Sequence, residues 1–353
     1  MAPRPPSSLR PVAERVDARL AALLAAERSR WSALDPDLAR PVDEIARLTR
    51  AGGKRLRPAF CHWGFVGAGG ADGDARAVDA GAAFELLHAF ALFHDDVMDG
   101  SATRRGEPTA HVAYEADHAR AGWAGEGRRF GEGAAILIGD LAFVYADLLL
   151  ASAPPAAWAL WHELRIELNV GQYLDVVGSA RRERRREAAE RICRYKSGRY
   201  TIERPLQLGA LLAAPTRAEE LLPALAAYGL PLGDAFQMRD DVLGAFGETA
   251  VTGKPVGDDL REGKPTPLLA IATARASAAQ RAVLETVGRE GMGDGEVARV
   301  QEAIRDCGAL DELEATITRL TDEAIAAIRV APVVPAARDA LVELAGYVSW
   351  RSV

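Results

Sequence analysis

The sequence predicts an all-α protein, a single-domain helical bundle, on three observations. Apolar residues recur at 3- and 4-residue spacing from Ser8 onward, the pattern of helices with one buried face. No run alternates apolar and polar residues with β-branched enrichment, so no strand is needed. Glycine and proline fall between the periodic stretches, at Pro36, Gly52-Gly53, Gly69-Gly70, Pro154-Pro155, Pro215 and Pro332.

Taken in order, residues 1–7 are Pro/Ser-rich and expected to be a disordered tail, which leaves 8–353 as one helical domain. Val12, Val16, Leu20, Leu23 and Leu24 form the stripe of a first amphipathic helix. Further helices are predicted over 36–50, 55–68, 74–99, 111–121, 132–152, 156–178, 186–213, 216–245, 265–276, 278–289, 295–305, 308–329 and 334–347. Two Gly-, Pro-, Lys- and Arg-rich segments, Gly100–His111 and Ala245–Pro267, read as functional loops on a rigid scaffold. The charge run Arg181–Glu187 reads as a solvated helix start.

The bulk numbers fit this picture. The chain has 353 residues, of which 49% are hydrophobic and 26% charged, enough for a sizeable core. A net charge of −7 argues against general nucleic-acid binding. Cys61, Cys193 and Cys307 stand far apart without CxxC spacing, which points to a reducing compartment and no structural zinc. The N-terminal residues lack the apolar core of a secretory signal, and the apolar stretch Ala134–Trp161 is broken by Asp140, Asp147 and Pro154-Pro155. A cytoplasmic protein with no transmembrane segment is therefore expected.

Two aspartate pairs carry the chemistry: Asp95-Asp96 with Asp99, and Asp240-Asp241. Each follows a long apolar run (Ala82–Phe93 and Leu225–Phe236) and so belongs at the buried end of a core helix. Asp95 and Asp99, four apart, share one helix face, where like charges are destabilising unless a cation neutralises them. A hard ion taking oxygen ligands, such as Mg²⁺, fits, and it would bring phosphate with it. Basic residues follow. Arg104-Arg105 sit on a glycine-flanked loop, and Arg matches phosphate with a planar donor fork. Gly52-Gly53-Lys54-Arg55-Leu56-Arg57 offers three cations at a helix start, where free N–H groups favour anions. Thr252-Gly253-Lys254, Gly263-Lys264 and Tyr195-Lys196-Ser197 add more. Jointly they describe a cavity with two carboxylate walls and several separate phosphate clamps.

In this order the motifs resemble trans-isoprenyl diphosphate synthases of the polyprenyl synthetase family over about residues 40–350. Glu85-Leu86-Leu87-His88 leading into Asp95-Asp96-x-x-Asp99 and Arg104-Arg105-Gly106 is similar to the first aspartate-rich region. Gly171-Gln172-Tyr173-Leu174-Asp175 resembles the central helix motif, and Phe236-Gln237-x-x-Asp240-Asp241 with Thr252-Gly253-Lys254 the second region. The resemblance implies an isoprenoid synthase class I fold around a central catalytic cavity, three magnesium ions with substrate bound, and a homodimer. It implies that Asp95, Asp99 and Asp240 bind magnesium, with Asp96 and Asp241 in support. It assigns Lys54, Arg57, His88 and Arg105 to isopentenyl diphosphate, and Arg104, Lys196, Lys254 and Lys264 to the allylic diphosphate. Gln172, Asp175, Ser197 and Gln237 would line the reacting end.

Two departures stand out: Gly244 replaces the third acid of the second region, and Ser197 stands where threonine is frequent. By family analogy Phe90 and Ala91, five and four residues before Asp95, set chain length, one ring closing the floor and one alanine leaving room beside it. That combination, with no insertion between Asp96 and Asp99, resembles synthases of geranylgeranyl diphosphate (C20), with farnesyl diphosphate (C15) as the alternative. A class I terpene cyclase is disfavoured, because Gly244 removes a hydroxyl ligand from the Asp240-Asp241…Glu248 pattern and Lys54, Arg57 and Arg105 form an unneeded second clamp. A non-catalytic partner subunit is disfavoured because the aspartates are all present.

Overall fold

The structure, a computed structural model, describes residues 5–247 and 256–350, nearly all of them in helices joined by short turns. The chain forms two compact units, one of residues 7–62 and 71–154, the other including 63–70 and the described residues from 155 onward.

In the first unit, helix α1 (Leu9–Ser32) buries Leu9, Val12, Val16, Leu20 and Leu24, the predicted stripe less Leu23. Asp35 caps a short 3₁₀ turn by accepting the N–H of Asp37 at 2.9 Å, and α2 (Ala39–Arg50) follows. Helix α3 (Leu56–Gly67) contributes residues 56–62 here. Helix α4 (Ala75–Asp99) is capped by Asp74 and ends at Gly100, whose φ of 64° is the left-handed conformation that terminates helices. Its middle, Ala80–Leu87, is wholly buried. Helices α5 (Ala110–Ala121) and α6 (Gly127–Leu149) complete the unit. They cross closely because Gly131 has no side chain: a Cβ there would lie 2.2 Å from the carbonyl oxygen of His111.

The expectation that no strand is needed is corrected. Inside the Gly100–His111 loop, β1 (Thr103–Arg104) pairs antiparallel with β2 (Glu107–Pro108). Arg105 (φ 54°) and Gly106 (φ 81°) make the two-residue turn, and positive φ at both central positions is what a type I′ hairpin demands. Two-residue strands are too short to leave an alternating pattern. Helix α6 also starts earlier than its apolar pattern, at Gly127 rather than residue 132.

The second unit holds α7 (Pro155–Ala180), α8 (Arg186–Cys193), α9 (Arg204–Ala213), α10 (Ala218–Phe246), α11 (Asp258–Glu262), α12 (Pro267–Arg275), α13 (Ala278–Leu284), α14 (Asp294–Asp306), α15 (Ala309–Val330) and α16 (Pro335–Ser349). The charge run is a turn before it is a helix: the Glu183 carboxylate accepts the N–H groups of Arg184 and Arg185, and α8 begins at Arg186. A core joins Met238, Val242 and Phe246 of α10 to Leu260, Leu268, Ile271, Val300 and Ile317.

The predicted continuous helix 186–213 is instead interrupted by a π-helical segment, Arg194–Glu203. Pro205 lacks the N–H that would bond four residues back, which loosens the ladder there. Close backbone contacts hold the wider coil. A Cβ on Gly171 would lie 2.4 Å from the Lys196 nitrogen, and one on Gly198 3.0 Å from the Gly233 carbonyl. Buried ion pairs clamp the same segment. Arg204 donates to both oxygens of Glu167 at 2.8 and 2.6 Å, Arg199 pairs with Glu167 and with Glu203 at 2.7 Å, and Gln207 accepts from Arg204 at 2.8 Å. π segments inside α-helices mark functional sites frequently, and this ten-residue one carries Lys196-Ser197.

Candidate active site

In the first unit the last turn of α4 sorts its three aspartates by exposure. Asp96 faces the protein at 3% exposure, whereas Asp95 and Asp99 keep partial access to solvent. The hairpin returns Arg104 onto Asp96, with Nε 2.8 Å and Nη2 2.6 Å from Oδ1 and Nη2 3.6 Å from Asp95. Burial raises the Asp96 pKa against the opposing effect of Arg104. Arg104 is pushed up in turn: burial would lower it, but the bond to Asp96 and the charges of Asp95 and Asp99 prevail. The buried pair therefore fixes the helix end and leaves Asp95 and Asp99 on the open face.

Cations gather next to it. His88 lies seven residues before Asp95 and so on the same face of α4. Its pKa is far below the usual value, first through burial and then through the charges of Arg57, Arg105, Arg104 and Arg55, so the ring is neutral. Positive charge from Arg57, Arg105 and Arg104 thus gathers around one imidazole, a setting that suits an anion. Arg105 donates from Nη1 to the carbonyl of Gly52, tying the hairpin to the turn before α3. Lys54, in the turn before α3, is exposed, and Arg57 is half-buried on its first turn, where unbonded N–H groups add to the positive field. Arg55, the third predicted cation of this turn, is committed elsewhere: it bonds Glu85 at 2.5 Å, Asp17 at 2.8 Å and the Thr49 carbonyl at 2.6 Å. It fixes the turn rather than offering charge.

Phe90 packs its ring against His94 at 4.6 Å and Phe143 of α6 at 4.7 Å between centroids, with Ala91 half-exposed beside it. Gly139 makes room for this cluster, since a Cβ there would meet the His94 ring at 2.4 Å.

In the second unit Lys196 Nζ donates to Asp175 Oδ2 at 2.5 Å, joining the π segment to α7. Ser197 and Gln172 are half-buried nearby in sequence. On α10, Asp241 is buried while Asp240 is partly open. Gln237 donates to Asp241 at 3.0 Å, and the Cys193 thiol approaches at 3.8 Å. Burial drives the Asp241 pKa well above the carboxylate range, with Asp259 and Asp240 adding and Gln237 and Cys193 opposing. Lys264 Nζ lies 2.6 Å from Glu262 and 3.9 Å from Asp259. Lys254 and Glu248 lie outside the described residues.

The two regions repeat one design, a buried supporting carboxylate beside an open one. Sequence reading missed the Glu167–Arg199–Glu203–Arg204 cluster, whose only local signal is the i, i+4 spacing of Arg199 and Glu203.

The donors suit a hard oxygen-seeking ion. Among the described residues no three acidic, histidine or cysteine side chains converge into a closed cage. Mg²⁺ takes one or two carboxylates and fills its remaining positions with water and phosphate oxygens, which the partly open Asp95 and Asp99 suit.

Comparison with known proteins agrees. The family model described as polyprenyl synthetase matches residues 39–306. Geranylfarnesyl diphosphate synthase of Aeropyrum pernix is 34% identical over 278 residues, 76% of this chain and 80% of that protein. Octaprenyl diphosphate synthase of Escherichia coli is 33% identical over 301 residues, 84% of this chain and 86% of its own. A crystal structure of geranylgeranyl pyrophosphate synthase from Corynebacterium glutamicum, complexed with isoprenyl diphosphate and magnesium, superposes with a TM-score of 0.91 at 36% identity, covering 98% of this chain and 99% of that one. The all-α fold is thus the isoprenoid synthase fold. No helix among the described residues is long and apolar enough to cross a membrane. This chain belongs to the polyprenyl synthetase family and is a prenyltransferase that elongates trans-prenyl diphosphates.

Proposed function

We propose that this enzyme condenses isopentenyl diphosphate with C5 to C15 allylic diphosphates and releases mainly geranylgeranyl diphosphate (C20). The observation that carries the reading is the partly open Asp95–Asp99 pair beside the guanidinium groups of Arg57, Arg104 and Arg105 around a neutral His88. Lys54, Arg57, His88 and Arg105 hold the diphosphate of isopentenyl diphosphate. His88 does so as an uncharged hydrogen-bonding group, so its grip does not depend on a proton near neutral pH. Arg104, Lys196, Lys254 and Lys264 hold the allylic diphosphate.

Asp95, Asp99 and Asp240 bind magnesium, while Asp96 and Asp241 orient their neighbours. Magnesium, when bound, neutralises the charge that builds on the departing pyrophosphate. Lys196 stabilises the same charge, with Asp175 aiming its ammonium group. The allylic C–O bond breaks, and Ser197 and Gln237 oxygens face the carbon cation. The isopentenyl double bond then forms the new C–C bond, and the pyrophosphate takes the proton lost. No protein base is required.

Phe90, wedged against His94 and Phe143, closes the tail channel, and Ala91 leaves room for a C20 chain. Relatives at about 33% identity span products from C15 to C40, so chain length turns on such side chains. Exposed apolar residues on α6 (Leu137, Val144, Leu148) and on α7 (Ile166, Val170, Tyr173) support a homodimer. Three free cysteines fit a cytoplasmic setting. Chromatography of the dephosphorylated products tests the reading. A dominant C20 alcohol is expected, and a C15 stop or products beyond C20 would overturn the assigned length.

A further inference from the structure

The arginine run between α7 and α8 has no part in the site described so far. From Arg181 to Glu187 five arginines stand against two glutamates, a local net charge of +3 in a chain whose total is −7. The turn is a Schellman motif: the N–H of Glu183 reaches the Gly178 carbonyl at 2.9 Å, and that of Arg182 reaches the Ser179 carbonyl at 3.1 Å. Arg182 (φ 50°) thus holds the left-handed position that glycine usually fills, and a charged side chain stands there at a cost in backbone strain. Beyond it, Arg184 and Arg185 lie just before α8 and Arg186 opens it, at the helix end whose dipole repels cations. A turn built for stability alone would carry glycine and acids at these places.

The carboxylates nearby leave part of this charge unneutralised. Glu183 bonds Arg185 at 2.5 Å, and Glu190 and Glu312 each bond Arg186 at 2.8 Å. Among the described residues no carboxylate pairs with Arg181, Arg182 or Arg184. Arg181 and Arg182 are exposed, whereas Arg184 is half-buried and donates from Nη1 to the Glu183 carbonyl at 3.0 Å. The Arg184 pKa is lowered by burial and then by the charge of Arg182, with Glu183 opposing, so the two guanidinium groups repel one another. An anion drawn to the turn relieves that repulsion.

The patch lies close to the site residues of the second unit. Asp175, which holds Lys196, comes six residues before Arg181, about 9 Å along α7. From Arg186, α8 runs about 10 Å to Cys193, whose thiol meets Asp241 at 3.8 Å. Gly178 packs on Pro265, next to Lys264: a Cβ there would lie 3.0 Å from the Pro265 ring. These spans match the Debye length of about 10 Å at about 0.1 M salt, so the patch acts on an anion at the site through space rather than by contact. We propose that Arg181, Arg182 and Arg184 form a capture surface that draws the diphosphate group of an incoming allylic substrate toward Lys196 and Lys264. It offsets the repulsion that a net charge of −7 exerts on such an anion.

The inference rests on the allylic-diphosphate role proposed above for those two lysines. Measuring kcat and KM for the C15 allylic primer from about 0.01 to about 1 M ionic strength tests it. Arg181→Gln with Arg182→Gln removes two positive charges from the exposed part of the patch and leaves the Arg184 anchor in place. Arg329→Glu lowers the net charge by the same amount at an exposed position in the last turn of α15, about 25 Å along that helix from Glu312, which bonds Arg186. At about 0.01 M the double variant should lose about threefold or more in kcat/KM with kcat unchanged, and its ratio to wild type should return to one at about 1 M. Arg329→Glu should match wild type throughout. An unchanged kcat/KM in the double variant would overturn the proposal. So would an equal loss in Arg329→Glu, which marks net charge alone, or a loss that persists at about 1 M, which marks a contact. A wild-type enzyme that elongates no allylic primer would instead overturn the diphosphate reading, and this inference with it.

Discussion

Replacing Glu167 with alanine should unlock the π segment that presents Lys196 and Ser197. Glu167 is 6% exposed and neutralises Arg204 through two hydrogen bonds, while also pairing with Arg199. Without it, Arg199 and Arg204 share the single charge of Glu203, and a net positive charge stays inside. Removing one partner of a buried pair costs about 3–5 kcal/mol. Arg199 and Arg204 side chains keep 19% and 11% exposure, so water relieves part of this, and about 3 kcal/mol is the working figure. At about 2 °C per kcal/mol for a chain of this size, Tm should fall by roughly 6 °C. The urea midpoint at constant slope measures the same loss, and kcat should drop with it because the Lys196 backbone shifts against Gly171. The fourfold change Glu167→Leu, Arg199→Met, Glu203→Gln and Arg204→Met removes every charge of the cluster and should regain part of the stability. A loss below about 1 kcal/mol in Glu167→Ala, the range of exposed pairs, would show that Glu167 does not hold the π segment as a buried partner.

Three further outcomes follow from the same geometry. Phe90→Ala opens the contact with Phe143 and should lengthen the product, read by chromatography after dephosphorylation; an unchanged profile removes Phe90 from the channel floor. Gly171→Ala drives a methyl group into the Lys196 backbone and should cost roughly 1–3 kcal/mol of overpacking together with a fall in kcat, so wild-type kinetics would contradict the close crossing. His88 is held neutral when folded but takes up a proton near its usual value of 6.5 when unfolded. Its contribution is therefore fully present above that value and lost as pH falls below it. The acid-side decline in Tm should shrink in His88→Gln, and an unchanged pH profile would refute the assignment.

Much of this was legible before the structure. The helices follow from 3- and 4-spaced apolar residues. The aspartate pairs announce themselves because two like charges at i and i+4 at the end of an apolar run need an explanation. What stayed hidden depends on contacts between residues far apart in sequence. Arg55 and Arg57 look alike as letters, and only Glu85, thirty residues away, makes Arg55 structural. The π segment has the composition of an α-helix. Its causes are Pro205, and the meeting of Gly198 with Gly233 and of Gly171 with Lys196. The hairpin at Arg104 is shorter than any period.

The central claim is that this chain alone performs magnesium-dependent condensation through its aspartates. Purified protein with labelled isopentenyl diphosphate and C5, C10 and C15 allylic primers, assayed with Mg²⁺ and with chelator, tests it most directly beside Asp95→Ala and Asp99→Ala. Label is expected in longer prenyl alcohols only with Mg²⁺, with a severe loss in either variant and Tm retained. Condensation that survives the chelator or either variant would contradict it, as would no condensation with any primer.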